Sequence, residues 1–291
     1  MRIIRSPSGM RAYCRARHGE GVRIGFVPTM GALHQGHRAL IRAARVRCDA
    51  VVVSIFVNPT QFGPYEDFSR YPRQLKRDAA MCREEGVDVL FAPAHAAMYP
   101  PGFQTTVAVH AVSRRWEGAH RPTHFGGVAV VVVKLLNIVC PQDVFFGQKD
   151  YQQVAVVRRV VTDLNIGTTV VQCPTVREPA GLAMSSRNVY LTAAQRRAAP
   201  ILHAALVAGE AAIRAGGRDG RLIRRAMLRK LAEEPLATVE YVSACDPESL
   251  EPLKRISGAT VLLGAIRLGR VRLIDNLLVR ATKQKRRAQN R

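Results

Sequence analysis

The stretch Gly25-Phe26-Val27-Pro28-Thr29-Met30-Gly31-Ala32-Leu33-His34-Gln35-Gly36-His37 passes from a short apolar strand through a glycine-containing turn into a helix. Strand character rests on residues 25–28, the turn covers 29–36, and Leu40, Ile41 and Ala44 then recur at helical spacing over 37–47. Residues 49–57 (DAVVVSIFV) form a second apolar, β-branched run, the pattern of a fully buried strand. Asn58-Pro59 stops it, because proline cannot continue a central ladder. Strand, loop and helix alternate, which is the signature of βαβ units and a parallel sheet. Residues 87–91 and 143–146 supply two further strands, each ending in a polar or Gly/Pro-containing loop. Residues 127–139 carry both patterns: VAVVVV has strand propensity, whereas Val130, Lys134, Asn137 and Ile138 suit a helix, and the run is read as helical.

Beyond Thr175 the texture becomes helical. Thr192 suits the N-cap of an Ala-rich segment ending at Gly216-Gly217, and a second helix is expected over 219–234. Short strands follow at 239–244, 261–266 and 271–274, the last two paired through the Gly269-Arg270 turn. The expected architecture is α/β, with a Rossmann-like parallel-sheet domain over residues 1–175 and a smaller α+β domain over 176–291.

The chain has 291 residues, 47% of them hydrophobic and 23% charged, enough apolar material for a sizeable core. No stretch approaches the ~18–20 apolar residues of a membrane span, and the first residues carry no signal-type apolar core. A cytoplasmic protein with no membrane association is expected. The six cysteines are dispersed without CxxC pairs and read as reduced thiols. A formal charge of +22 attracts polyanions in general. The basic residues are nevertheless spread along the chain, with one dense run at Lys283-Gln284-Lys285-Arg286-Arg287, and no interleaved aromatics offer base stacking. A solvated surface with a basic tail, and no specific nucleic-acid partner, is the expectation.

Four constellations could carry chemistry. His34 and His37 form an HxGH sequence at a strand-to-helix junction, where free backbone N–H groups and the positive end of the helix dipole suit a phosphate and Gly36 leaves room for it. Met184-Ser185-Ser186-Arg187 offers two hydroxyls and a fixed guanidinium to phosphate oxygens. Gly147-Gln148-Lys149-Asp150 places a lysine suited to transition-state charge and a carboxylate suited to Mg2+, or to orienting the lysine, at the end of a strand. Asn58-Pro59-Thr60-Gln61-Phe62 ends another strand with amides that suit a hydroxy acid. Taken singly, the last three are equally compatible with ordinary capped turns.

Together, VPTMGALHQGH, VVVSIFVNPTQF, YPRQLKRD, EGAHRPTHFGGV, FFGQKDYQQ, MSSRNVYL and RLIDN resemble, in this order and over almost the whole chain, the pantoate–β-alanine ligase family of the HxGH nucleotidyl-transferase superfamily. The resemblance implies a homodimer with a small C-terminal domain closing over the site. It also implies MgATP-dependent adenylation of pantoate with release of pyrophosphate, then attack of β-alanine on the pantoyl adenylate. By the same resemblance Met30, Gly31, Ala32, Leu33, His34, Gln35, Gly36, His37, Gly147, Gln148, Lys149, Asp150, Val176, Met184, Ser185, Ser186 and Arg187 match ATP contacts. Among these, His37, His34, Lys149, Ser185, Ser186 and Arg187 stand as the catalytic set, with His37 at the proton-donor position. Gln61 and Gln153 match the pantoate contacts, Gln61 also adjoins β-alanine, and Asn58, Glu117 and Arg121 are further candidates near substrate or metal. Gln148 stands where many members carry Glu.

A class I aminoacyl-tRNA synthetase shares HxGH and adenylate chemistry, but no anticodon-binding extension follows the small C-terminal region. A purely nucleic-acid-binding module would rest on charge alone. Neither GxxxxGK[ST] nor GxGxxG after a strand is present, which argues against P-loop and dinucleotide chemistry.

Overall fold

Branched apolar runs flanked by amphipathic helices assemble into one parallel sheet. The protein is described here by a computed structural model covering residues 1–64 and 66–280. The basic run 283–287 lies outside the described residues. Contacts divide the chain into two compact units, Met1–Tyr190 and Leu191–Arg291.

The first unit contains β1 (Arg2–Ile4), α1 (Pro7–Gly19), β2 (Ile24–Thr29), α2 (Gln35–Arg47), β3 (Ala50–Ile55), α3 (Leu75–Glu84), β4 (Val89–Phe91), the short α4 (His95–Met98) and α5 (Glu117–His120), α6 (His124–Val139), β5 (Asp143–Gly147), α7 (Tyr151–Asp163) and β6 (Thr169–Cys173). The six strands lie in the order β1-β4-β3-β2-β5-β6 and every pairing is parallel. Alternate residues of each strand feed two apolar layers, as a pleat requires. Phe26, Val52, Val144 and Phe146 pack with Met10, Cys14 and the α6 valines, while Val27, Val51, Val53 and Phe145 pack with Leu40, Ile41, Ala79 and Cys82. After β2 the chain winds outward through β3 and β4, then returns to lay β5 on the other side of β2. The strand order reverses between β2 and β5, and the crevice at the carboxyl ends of two such strands is where open α/β sheets bind ligands.

The ambiguous valine run is helical, within α6. Most of its side chains are buried, and burial on nearly all sides overrides the weak strand preference of valine. The sequence reading assigned no element to β1, α1, α3, α7 or β6; of these, β1 is a three-residue edge strand, and α1 is capped by the Ser6 hydroxyl, which accepts from the Gly9 amide at 3.1 Å. Val176 lies in the loop after β6, which ends at Cys173. The stretch 176–190, read from sequence with the second domain, clusters with the first unit.

The second unit contains α8 (Ala193–Ala198), α9 (Ile201–Arg214), α10 (Gly220–Leu231), β7 (Ala237–Cys245), β8 (Thr260–Leu268) and β9 (Val271–Val279), with the strands antiparallel in the order β7-β8-β9. Thr192 caps α8 in a reciprocal box with Gln195. Pro200 follows α8 and precedes α9, so the Ala-rich segment is two helices rather than one. Among the described residues no helix is long and apolar enough to cross a membrane.

One close approach ties α6 to the end of β3. A Cβ on Gly127 would stand 2.1 Å from the Thr60 carbonyl oxygen and 2.6 Å from the Gln61 nitrogen. Gly127→Ala is therefore expected to cost ~1–3 kcal/mol through overpacking in urea unfolding. Gly126→Ala, whose Cβ meets only the Val107 carbonyl oxygen at 3.9 Å, should cost nothing or stabilise slightly.

Candidate active site

The turn leaving β2 needs two consecutive left-handed residues, Gly31 (φ 82°) and Ala32 (φ 51°). Glycine adopts this freely, whereas alanine pays ~1–2 kcal/mol. Asp78, buried on the first turn of α3, holds the turn by accepting from the Ala32 and Leu33 amides, each at 2.9 Å. Burial raises the Asp78 carboxyl above its usual range against the pull of those two amides. Thr29 completes the bend, donating to the Ser54 carbonyl at 2.7 Å and accepting from the Gly31 amide at 3.1 Å.

The redirected chain starts α2 at Gln35, two residues earlier than its apolar period suggests, with His34 as N-cap. The His34 Nδ1 accepts from the Gly36 amide at 3.1 Å, and the His37 Nδ1 accepts from the His34 amide at 3.2 Å. Each ring is thus the neutral tautomer that carries its proton on Nε2. Burial lowers the pKa of His34 to about 4, helped by the charge of Lys149, and burial together with neighbouring His34 lowers that of His37 to about 3. The rings lie 4.1 Å apart between centroids. A Cβ on Gly36 would stand 2.9 Å from the His34 Cε1, so glycine is what lets the His34 ring fold back over the helix start.

The other constellations gather around this turn. Gly147 ends β5, and Lys149 Nζ meets the Asp150 Oδ1 at 3.1 Å. Desolvation would raise the Asp150 carboxyl, but the charge and hydrogen bond of Lys149 hold it below the usual range. The Met184 amide donates to the Val176 carbonyl at 2.9 Å, and the hairpin between them, bridged at Arg177 and Ala183, carries the Met184 Cβ to 3.9 Å from a Cβ on Gly36. Ser185 Oγ accepts from the Arg187 amide at 3.2 Å, and Ser186 Oγ lies 3.1 Å from the Tyr71 hydroxyl. Arg187 forks onto Asp67 at 2.9 and 2.8 Å.

Gln61, at the end of the 3₁₀ turn Pro59–Gln61 that follows β3, donates to the Met30 sulfur at 3.1 Å, so the loops after β2 and β3 meet at this side chain. Asn58 sits beneath it, 1% exposed, and is fully engaged. Its amide donates to the Gln61 Oε1 at 3.2 Å and the Gly127 carbonyl at 3.1 Å, and its oxygen accepts from the Tyr99 and Thr60 hydroxyls at 2.8 and 2.9 Å. Asn58 therefore supports Gln61 and presents no free polar atom. Arg121 forks onto Glu66 at 2.7 and 2.6 Å and donates to the Gln61 carbonyl at 3.2 Å. Gln153 is half-buried on the first turn of α7, where its neighbour Gln152 fastens the segment leading into α5 by accepting from the Glu117 amide at 3.0 Å and donating to the Val112 and Arg115 carbonyls. Glu117 is itself buried, at the start of α5.

HxGH, Met184 and Lys149-Asp150 thus share one neighbourhood, joined to Gln61 through Met30. The sequence reading missed Asp78, Asp67, Tyr71 and Gln152, all of which act on the site by holding other residues. The aspartate of YPRQLKRD was visible, but its partners lie 45 and 46 residues away.

An open parallel sheet with a neutral histidine pair on a helix N-terminus at its switch point is the framework of an α/β phosphate-binding enzyme. The chain belongs to the pantoate–β-alanine ligase family, whose model matches residues 2–278. It is 52% identical over 281 residues to pantothenate synthetase of Roseiflexus castenholzii, covering 97% of this chain and 100% of that one, and 49% identical over 279 residues to that of Moorella thermoacetica, covering 96% and 99%. The crystal structure of pantothenate synthetase from Thermus thermophilus superposes with a TM-score of 0.92 at 47% identity, covering 97% of this chain and 100% of that one. That of pantoate–β-alanine ligase from Francisella tularensis, complexed with β,γ-ATP and β-alanine, gives 0.78 at 34% identity, covering 96% and 97%.

Both histidines bind protons less readily folded than unfolded, so the unfolded chain takes up protons first as pH falls below the ordinary value of 6.5, and stability is lost from there down towards about 4 for His34 and about 3 for His37. NMR at pH 5.5 should show both rings neutral with the proton on Nε2, and urea unfolding should show lower stability at pH 5 than at pH 7. Imidazolium signals for either ring at pH 5.5 would contradict the assigned tautomers.

Proposed function

We propose that this chain joins pantoate to β-alanine with ATP, by way of a pantoyl adenylate, releasing pyrophosphate and then AMP and pantothenate. The observation that carries the reading is the neutral His34–His37 pair on the N-terminus of α2, beside Lys149 and the loop of Met184. In this reading the triphosphate lies across that helix start, where neutral Nε2–H groups donate to charge that grows as pyrophosphate departs and the positive end of the helix dipole favours it. Neutral rings cost less to desolvate than imidazolium ions and still supply their donors. Lys149 adds fixed positive charge, and Ser185, Ser186 and Arg187 take further phosphate oxygens. Val176, Met184 and Gly147 border the nucleotide. Gln61 and Gln153 hold pantoate so that its carboxylate faces the α-phosphate, and Gln61 keeps the pantoyl group in place for the amine of β-alanine.

The donor set fits Mg2+, which retains waters and takes one or two carboxylates together with phosphates: Asp150 would hold it, and the ion would neutralise the phosphate charge. Among the described residues no three His, Cys, Asp or Glu side chains form a metal group by themselves. Support for ATP and β-alanine comes from the Francisella tularensis relative crystallised with both kinds of ligand. A homodimer in the cytoplasm completes the reading.

With MgATP and pantoate alone, purified protein should release pyrophosphate and accumulate the adenylate, and β-alanine should convert it to AMP and pantothenate. ADP and phosphate as the nucleotide products would overturn the adenylate route.

The two ends of the site should fail differently. His37→Ala is expected to slow adenylation by ~10²–10³-fold, as for loss of a preorganised donor, while supplied pantoyl adenylate reacts normally with β-alanine. Gln61→Ala should raise the KM for pantoate and also impair that second step. Single-turnover kinetics of each half-reaction separate them, and equal slowing of both steps by His37→Ala would move that histidine away from the phosphates.

A further inference from the structure

Neighbouring carboxylates on the segment after Gln61 each hold an arginine: Glu66 takes Arg121 and Asp67 takes Arg187. The second pair has more built around it. The Arg187 guanidinium donates through Nε and Nη2 to both Asp67 oxygens and stands 5.9 and 5.7 Å from the ring centres of Phe62 and Tyr71. The Tyr71 hydroxyl meets Ser186, and the Tyr190 hydroxyl donates to the Arg70 carbonyl at 3.0 Å. Residues 66–71 are thereby fastened to the turn Ser186–Tyr190 at three points. A two-oxygen acceptor facing a planar fork is also how phosphate engages arginine.

We propose that Asp67 is a positioning residue that stands in for phosphate: it keeps Arg187 extended and paired until a triphosphate takes over the fork. The proposal rests on the functional reading above, in which Arg187 binds ATP. An arginine held in place by a stacked, paired arrangement loses little side-chain freedom on meeting its ligand, but the pairing must be given up. Apparent affinity is then reduced by the fraction of molecules in which the fork is free. Burial alone would raise the Asp67 carboxyl, yet its bonds to Arg187 hold it below the usual range, so the stand-in is ionised at neutral pH. Asp150, the carboxylate that would hold Mg2+, also bears on Arg187 electrostatically.

Calorimetry with ATP and with adenosine, in the absence of pantoate, tests this on the full-length protein. Asp67→Asn should bind ATP several-fold more tightly than the wild type and adenosine equally, with a lower Tm. In an Arg187→Met background the same substitution should leave ATP affinity unchanged. Weaker or unaltered ATP binding by Asp67→Asn, equal tightening of adenosine, or a tightening that survives Arg187→Met overturns the proposal. Should the variant fold poorly, hydrogen exchange on the wild type decides: ATP should increase exchange in residues 66–71, and unchanged or slower exchange there overturns the exchange of partners. A wild type that binds no ATP removes the functional reading itself, a result distinct from any of these.

Discussion

The carboxylate of Asp78 is the constraint on which the site depends. Two backbone amides, of Ala32 and Leu33, have no helical or sheet partner at a left-handed bend, and a buried amide without an acceptor is costly. Asp78 supplies both acceptors from α3, and in doing so steers the chain from the end of β2 into the first turn of α2. The positions of His34 and His37 follow from that bend. So does the place of Met30, whose sulfur accepts from Gln61 and joins the loops that follow β2 and β3.

Charge in the site is arranged by pairing and by withholding it. Every strongly placed cation has a carboxylate: Arg187 with Asp67, Arg121 with Glu66, Lys149 with Asp150. The histidines, where charge could have been added, are kept neutral by burial, with Lys149 lowering His34 and His34 lowering His37. A site balanced in this way costs less to hold together without ligand than a bare cationic pocket, because like charges do not repel across it.

Beneath Gln61 lies a saturated polar network. Asn58 uses every donor and acceptor it has, Tyr99 and Thr60 complete it, and Lys134 stands over the Tyr99 and Phe103 rings at 5.6 and 4.6 Å. Such a network in a low-dielectric interior is either complete or costly, so it holds Gln61 to one geometry. The bare Cα of Gly127 is what allows α6 to press against it.

The amino-acid order by itself determined the alternation of strand and helix, the parallel character of the sheet, the HxGH turn at a strand end and the family resemblance, because these depend on spacing within a dozen residues. It was ambiguous for 127–139, where valine favours strands locally and only burial on nearly all sides selects the helix. The short β1 was missed because three residues show no period and an edge strand needs its partner β4 to exist. Tertiary structure alone decided that Asn58 supports Gln61, that Arg121 and Arg187 are already paired, and that Asp78 shapes the histidine turn. Each of those facts is a bond between groups some 30 to 120 positions apart in the chain or a close approach of backbones, and no local pattern encodes which distant acceptor a donor will meet.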